Sequence, residues 1–241
     1  TSAECRELDG LLFDVSDAKI GVNFPPLHPG CRSITLECDE GAQDAVALAP
    51  KLLDDYSKSI SDFSRYGSDF KPSVTSVAVD ATNTSRAGFG SSGIYLANPS
   101  IDNEHMKLNG TPEYVGFHRR KLSDEYIDEM IINNPSYLKG KDITSIKKEM
   151  GKLRALIQKT KDVAKSQGKY YDKNVETGEP SMQKSWLVEN CAEIWAVRDA
   201  ILQGAKIENL VLRSWDLRRG KIKPFCDNCS ITFEGFMTSM D

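Results

Sequence analysis

Three cysteines near one end of this chain constrain its fold more than any other feature. Cys191 is followed 35 positions later by the first cysteine of Cys226-Asp227-Asn228-Cys229. For all three to act together, the chain between them must turn back on itself, and its pattern allows that. CAEIWAVRDAILQGA reads as a helix with Ala192, Trp195, Ala196, Ala200 and Ile201 inward and Gly204 as its stop. NLVLRSWDL then reads as a strand, and RRGKIK as a polar turn before Pro224. Asn190 is the predicted N-cap of the helix. Helix, strand, turn and helix start in that order predict an α/β layer with metal ligands at the helix starts.

A Cys-x-x-Cys pair alone has three readings: metal site, redox pair or coincidence. A thioredoxin-like pair should follow a first strand near the start of its fold, whereas this one lies near the chain end. The six cysteines also fall into two clusters, Cys5, Cys31 and Cys38 against Cys191, Cys226 and Cys229, with about 150 residues between. That placement favours local chemistry at each end over a disulfide scaffold. Three thiolates leave one tetrahedral zinc position for water, whose pKa the metal lowers. Glu193, two residues beyond Cys191, can take a proton and return it to a leaving group. Zinc held by three thiolates is a weaker Lewis acid than zinc held by histidines, so the glutamate matters more. The alternative is a closed site, its fourth ligand one of the N-terminal cysteines or a histidine. A separate alternative takes Glu193 as a plain surface helix residue.

Upstream, residues 1–70 are acidic, with 13 acidic against 6 basic side chains. The run 42–66 predicts one or two helices with Pro50 near a boundary. TSVAVDA (75–81) predicts a strand, TNTSRAGFGSSG a turn region, and GIYLANPS a further short strand. EYVGFHRR (113–120) reads as a strand or as the lead into a helix over KLSDEYIDEMIINN. From Asp142 the pattern is helical, with Ile146, Met150, Leu153, Leu156 and Ile157 as the apolar stripe and Gly168 as the stop. KYYDKNVETGEPSM then reads as a strand and an exposed turn. The expected division is residues 1–70 as a small irregular α+β region and residues 71–241 as the α/β domain.

The combination Cys191-Ala192-Glu193, helix, strand and Pro224-Phe225-Cys226-Asp227-Asn228-Cys229 resembles the cytidine deaminase superfamily. Its signature is a histidine or cysteine followed by Ala-Glu, with a later Pro-Cys-x-x-Cys. Asn-Cys-Ala-Glu is most similar to the YwqJ-like toxin deaminases of bacterial polymorphic toxin systems. The resemblance covers about residues 185–235. It implies a compact variant of a three-layer deaminase-like sheet with helices. It also implies Zn2+ on Cys191, Cys226 and Cys229, with Glu193 as general acid/base. Phe225 is an extra residue between the proline and the first cysteine of the pair, and only twelve residues follow Cys229.

A second resemblance lies at the other end. Pro25-Pro26-Leu27-His28-Pro29-Gly30-Cys31-Arg32-Ser33 is similar to the end of the MuF-type phage minor head protein domain, which also occurs upstream of toxin domains. Gly30 and Ser33 stand where that family often has asparagine and cysteine. Cys5, His28, Cys31 and Cys38 form a candidate structural metal site; a rigid proline turn with buried cysteines is the plainer reading. Together the resemblances imply a toxin secreted or delivered into the cytoplasm of a target cell, or associated with a phage particle. A cognate immunity protein is then an expected partner.

Charge bears on the substrate. With 31 basic against 35 acidic residues the net charge is -4, which excludes a uniformly basic nucleic-acid binder but not a local basic face. His118-Arg119-Arg120 could grip phosphate or stack on a base, or be an exposed turn. Residues 139–173 hold 11 basic against 4 acidic side chains. They suit a phosphate-tracking face, a solvated helix face, or docking on the acidic N-terminal part. Arg218, Arg219, Lys221 and Lys223 immediately precede the ligand loop and are the better phosphate candidates. Asn190 and Trp215 are further substrate-binding candidates, although Trp195 and Trp215 both suit core packing.

No run of eighteen apolar residues spans a membrane, and no secretory leader is expected within the opening residues. The function expected is zinc-dependent hydrolytic deamination of a nucleobase, cytosine before adenine, in DNA or RNA. The alternatives are a free nucleoside or nucleotide deaminase and a non-enzymatic, zinc-stabilised phage structural or interaction module.

Overall fold

The computed structural model describes residues 40–63, 72–92, 138–171 and 178–239. The expected elements over 93–137 lie outside these residues, as do the whole Pro-Pro-Leu-His-Pro segment and the turn at 172–177. In chain order the elements are α1 (Glu40–Phe63), β1 (Val74–Asp80), β2 (Ala87–Ser91), α2 (Ile143–Ser166), α3 (Ala192–Leu202), β3 (Leu210–Asp216), β4 (Lys221–Ile222), α4 (Asp227–Thr232) and β5 (Met237–Thr238).

The architecture is mixed α/β, built on a five-stranded, mostly antiparallel sheet. β1 lies at its centre, antiparallel to β2 on one side and to β3 on the other. The far edge of β3 is shared: β4 pairs antiparallel with its end at Trp215 and Asp216, and β5 pairs parallel with its start at Val211 and Leu212. Strand alternation sends successive residues to opposite faces, and both faces are covered. Val77, Val79 and Val211 pack under α1 against Ala42, Ala45, Ala49 and Leu53. Ala78, Leu210 and Leu212 pack under α3, with Ile146, Met150, Leu153 and Ile157 of α2 closing the same core. The layers are therefore helix, sheet, helix. α1 joins this packing across the division expected at residue 70. Among the described residues no helix is long and apolar enough to cross a membrane.

Three local expectations are corrected. Pro50 marks no boundary but sits inside one 24-residue helix. A proline there removes the N–H that would bond the carbonyl of Val46, and the Ser239 hydroxyl donates to that carbonyl instead, at 3.0 Å. The glycine-rich stretch read as a turn contains strand β2, Ala87–Ser91, with turn residues before it and at Ser92. Glycines are required in it because the strand lies directly on α3. A Cβ on Gly90 would fall on the backbone of Ala192 and Ala196, and one on Gly88 on that of Ala196 and Ala200. Finally, Asn190 does not cap α3. It closes a 3-10 turn, Val188–Asn190, and Cys191 takes the cap position.

α2 matches its predicted stripe, except that Leu156 is only half buried. Gly168 and Gly204 follow their helices with positive φ, 64° and 92°, as glycine stops do. α3 is buried all round, including Arg198 and Asp199. The Asp199 carboxylate accepts the Phe89 amide of β2 at 2.9 Å, tying helix to strand.

Candidate metal centre

Cys191 caps the start of α3, Cys226 caps the start of α4, and Cys229 lies in the first turn of α4. Their sulfur atoms all lie within 4.8 Å of one another, with Cys191 and Cys226 3.6 Å apart. Zinc–sulfur bonds of about 2.3 Å in a tetrahedron separate sulfurs by roughly 3.8 Å, so the trio fits such an ion without large rearrangement. Among the described residues no fourth histidine or cysteine joins the cluster. All three histidines and the cysteines at 5, 31 and 38 lie outside the described residues, as do Arg119 and Arg120.

The three thiols share charge unevenly. A hydrogen bond from Cys191, another from Cys229, and the amides of Cys229 and Asn228 pull the Cys226 thiol down to about 3. Donating to Cys226 holds Cys191 well above the usual thiol range, and burial does the same for Cys229. Metal ligation requires thiolates, so binding would displace the protons that Cys191 and Cys229 keep.

Glu193 touches this cluster. Its Oε2 accepts from Cys229 Sγ at 3.3 Å, and its Oε1 lies 3.0 Å from Ser214 Oγ. Burial is the main reason its carboxyl is raised to about 7, with the Cys226 charge adding to the effect. A carboxyl poised near neutrality can both accept and return a proton.

The scaffold around the trio is polar but satisfied. Asn228, between the paired cysteines, is fully buried. Its Oδ1 accepts the Met182 amide at 2.9 Å and its Nδ2 donates to Ser181 Oγ at 3.1 Å, fastening the 181–186 segment to α4. The Ser181 hydroxyl in turn bonds the Trp186 carbonyl at 2.8 Å. Thr160 of α2 meets Thr232 of α4 at 2.8 Å. Sequence reasoning missed Ser214, Ser181 and Asn228. Strand parity, which turns Ser214 to the face opposite Trp215, was the signal that could have found it; nothing local marks the other two.

Other expected site residues are dispersed. Trp215 packs on the α1 side of the sheet, with the strand between it and the cysteines. Trp195 is buried, consistent with packing. Asn190 is buried immediately before Cys191. Arg218, Arg219 and Lys221 are exposed on the β3–β4 hairpin, and Lys223 is half buried beyond it. Three cations of the basic segment over α2 are paired with carboxylates. Lys152 meets Glu149 and Glu208 at 2.8 and 2.7 Å, Lys159 meets Glu234 at 2.9 Å, and Lys161 meets Glu189 and Glu179 at 2.6 and 3.2 Å. The carboxylates in these pairs come from residues 149–234, not from the N-terminal part. On the hairpin, Arg219 pairs with Asp216 at 3.9 Å.

No protein-family model matches the chain, and no curated protein or solved structure matches it.

Proposed function

We propose that this chain is a zinc-dependent hydrolytic deaminase acting on a nucleobase, with cytosine favoured, in a nucleic acid. One observation carries the reading: a buried carboxyl, Glu193, touches a trio of thiols whose spacing suits zinc. The layered sheet, with ligands at the starts of α3 and α4, agrees with the deaminase-like arrangement that Cys-Ala-Glu and Cys-x-x-Cys suggest. Cys191, Cys226 and Cys229 would hold the zinc ion, which would supply Lewis acidity and lower the pKa of a bound water.

The chain's own contribution is proton movement. Glu193 takes a proton from the attacking water and returns it to the amine leaving the ring carbon, so that ammonia departs. Burial favours the protonated carboxyl, the form that returns the proton. A base that begins in a duplex must be extruded or already unpaired to reach so enclosed a carboxylate. The exposed hairpin cations Arg218, Arg219 and Lys221 adjoin the ligand loop in sequence, and phosphate contact is the role assigned to them in this reading. The resemblance adds the role of a delivered toxin with a cognate immunity protein.

The test is Glu193→Gln, with zinc content and deamination measured together on single-stranded DNA, double-stranded DNA, RNA and free cytidine. We expect one zinc per protein in both forms, and a rate loss of about 100-fold to 10,000-fold in the variant. Unchanged turnover, or loss of zinc in the variant, contradicts the assignment. Turnover of free cytidine alone replaces the nucleic-acid substrate with a nucleoside.

A further inference from the structure

We propose that Ser214 is a positioning residue for Glu193, buttressed by Ser76. Ser76 and Ser214 face each other across the β1–β3 ladder, and Gly90 faces Ser76 from β2. This Gly-Ser-Ser row runs across the sheet on its α3 side. The next row, Gly88, Ala78 and Leu212, is apolar. The missing side chain at Gly90 lets the first turn of α3 settle on the sheet at Ala192, which brings its neighbour Glu193 onto Ser214.

Both hydroxyls are buried, and placing them beneath a helix is costly unless they have partners. Their contacts form one chain: the Ser76 hydroxyl donates to the Arg213 carbonyl at 3.1 Å, Ser76 Oγ lies 2.9 Å from Ser214 Oγ, and Ser214 Oγ lies 3.0 Å from Glu193 Oε1. Each serine has one proton to donate and lone pairs to accept with. Ser214 can therefore give its proton to the carboxylate or accept one from the carboxyl, while Ser76 turns to suit.

The second hold on the glutamate is conditional. The Oε2 contact uses the thiol proton of Cys229, and a metal-ligating cysteine has none. Ser214 then remains as the side-chain partner at Oε1, beside the glutamate's own backbone amide. A glutamate without that partner turns about its last side-chain bonds and loses the alignment that proton transfer needs.

The kinetic test rests on the deaminase reading; a second measurement does not. In zinc-loaded protein, Ser214→Ala is expected to lower kcat about tenfold, with KM and zinc content unchanged, and Ser214→Thr to restore most of the rate. An unchanged kcat in Ser214→Ala overturns the proposal. So does a loss accompanied by loss of zinc and not rescued by threonine, which marks a merely structural residue. Independently, the side-chain carboxyl carbon of Glu193 is followed by NMR in metal-free protein carrying 13C-labelled glutamate, its signal assigned by absence from Glu193→Gln. Ser214→Ala is expected to displace that signal, and an undisplaced signal overturns the proposal. If the wild type deaminates nothing but the signal moves, the positioning role stands and the deaminase reading falls.

Discussion

The two faces of the sheet use the same strands for different ends. Toward α1, β1 and β3 present Val77, Val79 and Val211 to a row of small helix residues, with Phe89 and Trp215 at the margins. That face is held mainly by area and shape, with the Ser57–Thr75 and Ser239–Val46 hydrogen bonds added at 2.6 and 3.0 Å. Toward α3, the strands present Gly90, Ser76 and Ser214, and the helix above carries Glu193. Here contact is set by backbone approach and by hydrogen bonds with defined directions. Apolar contacts tolerate a shifted methyl group; a buried carboxyl held at both oxygens does not. The three cysteines and Glu193 sit on the face with less freedom to adjust.

This contrast can be broken most severely at Gly90. Gly90→Ala places a Cβ against the backbone of α3 and is expected to destabilise by about 3 kcal/mol or more. Phe89→Leu, one residue away and facing α1, is expected to cost less than about 1.5 kcal/mol. Urea denaturation of both variants measures the difference, and equal losses would remove the distinction between the faces.

The next effect is titration of Glu193 in chelator-treated protein. Its folded pKa of about 7 lies above its ordinary value of 4.5, so the folded state binds more protons across that window. Stability from this group is therefore present at low pH and is lost as pH rises from about 4.5 through 7, by up to roughly 3 kcal/mol. The difference in stability between wild type and Glu193→Gln, followed from pH 4.5 to 8, isolates it. A difference independent of pH would contradict the raised pKa.

The smallest effect lies on the α1 face. Ser239→Ala deprives the Val46 carbonyl of its donor and removes an acceptor that Arg213 bonds at 3.1 Å. About 1–2 kcal/mol of stability should be lost, with zinc content unchanged. A variant that loses zinc would tie the faces together more closely than their packing suggests.

Much of this was legible in the sequence where periodicity is strong and partners are local. The stripe from Ile146 to Ile157 gave α2, the alternation around Val77 gave β1, and Leu210 to Asp216 gave β3. The cysteine spacing picked out three sulfurs that do converge. What escaped has non-local causes. Gly88 and Gly90 look like turn residues until α3 is laid over them. Pro50 looks like a boundary until Ser239 supplies its missing donor. Asn190 suits a cap by composition, but the chain spends it on the preceding 3-10 turn. The role of Ser214 depends on its register opposite Ser76, and register between strands 138 positions apart is not written in either strand alone.

The proline in α1 has a kinetic consequence. Where most helices close each rung with an amide four residues away, this one completes its middle with a hydroxyl 193 positions along the chain. Such a contact has very high sequence separation, and ordering it requires the intervening chain to be gathered first. α1 is thus poorly suited to serve as an early, autonomous nucleus. Its central turn is finished when β5 docks, which makes consolidation of the helix a late event shared with the sheet.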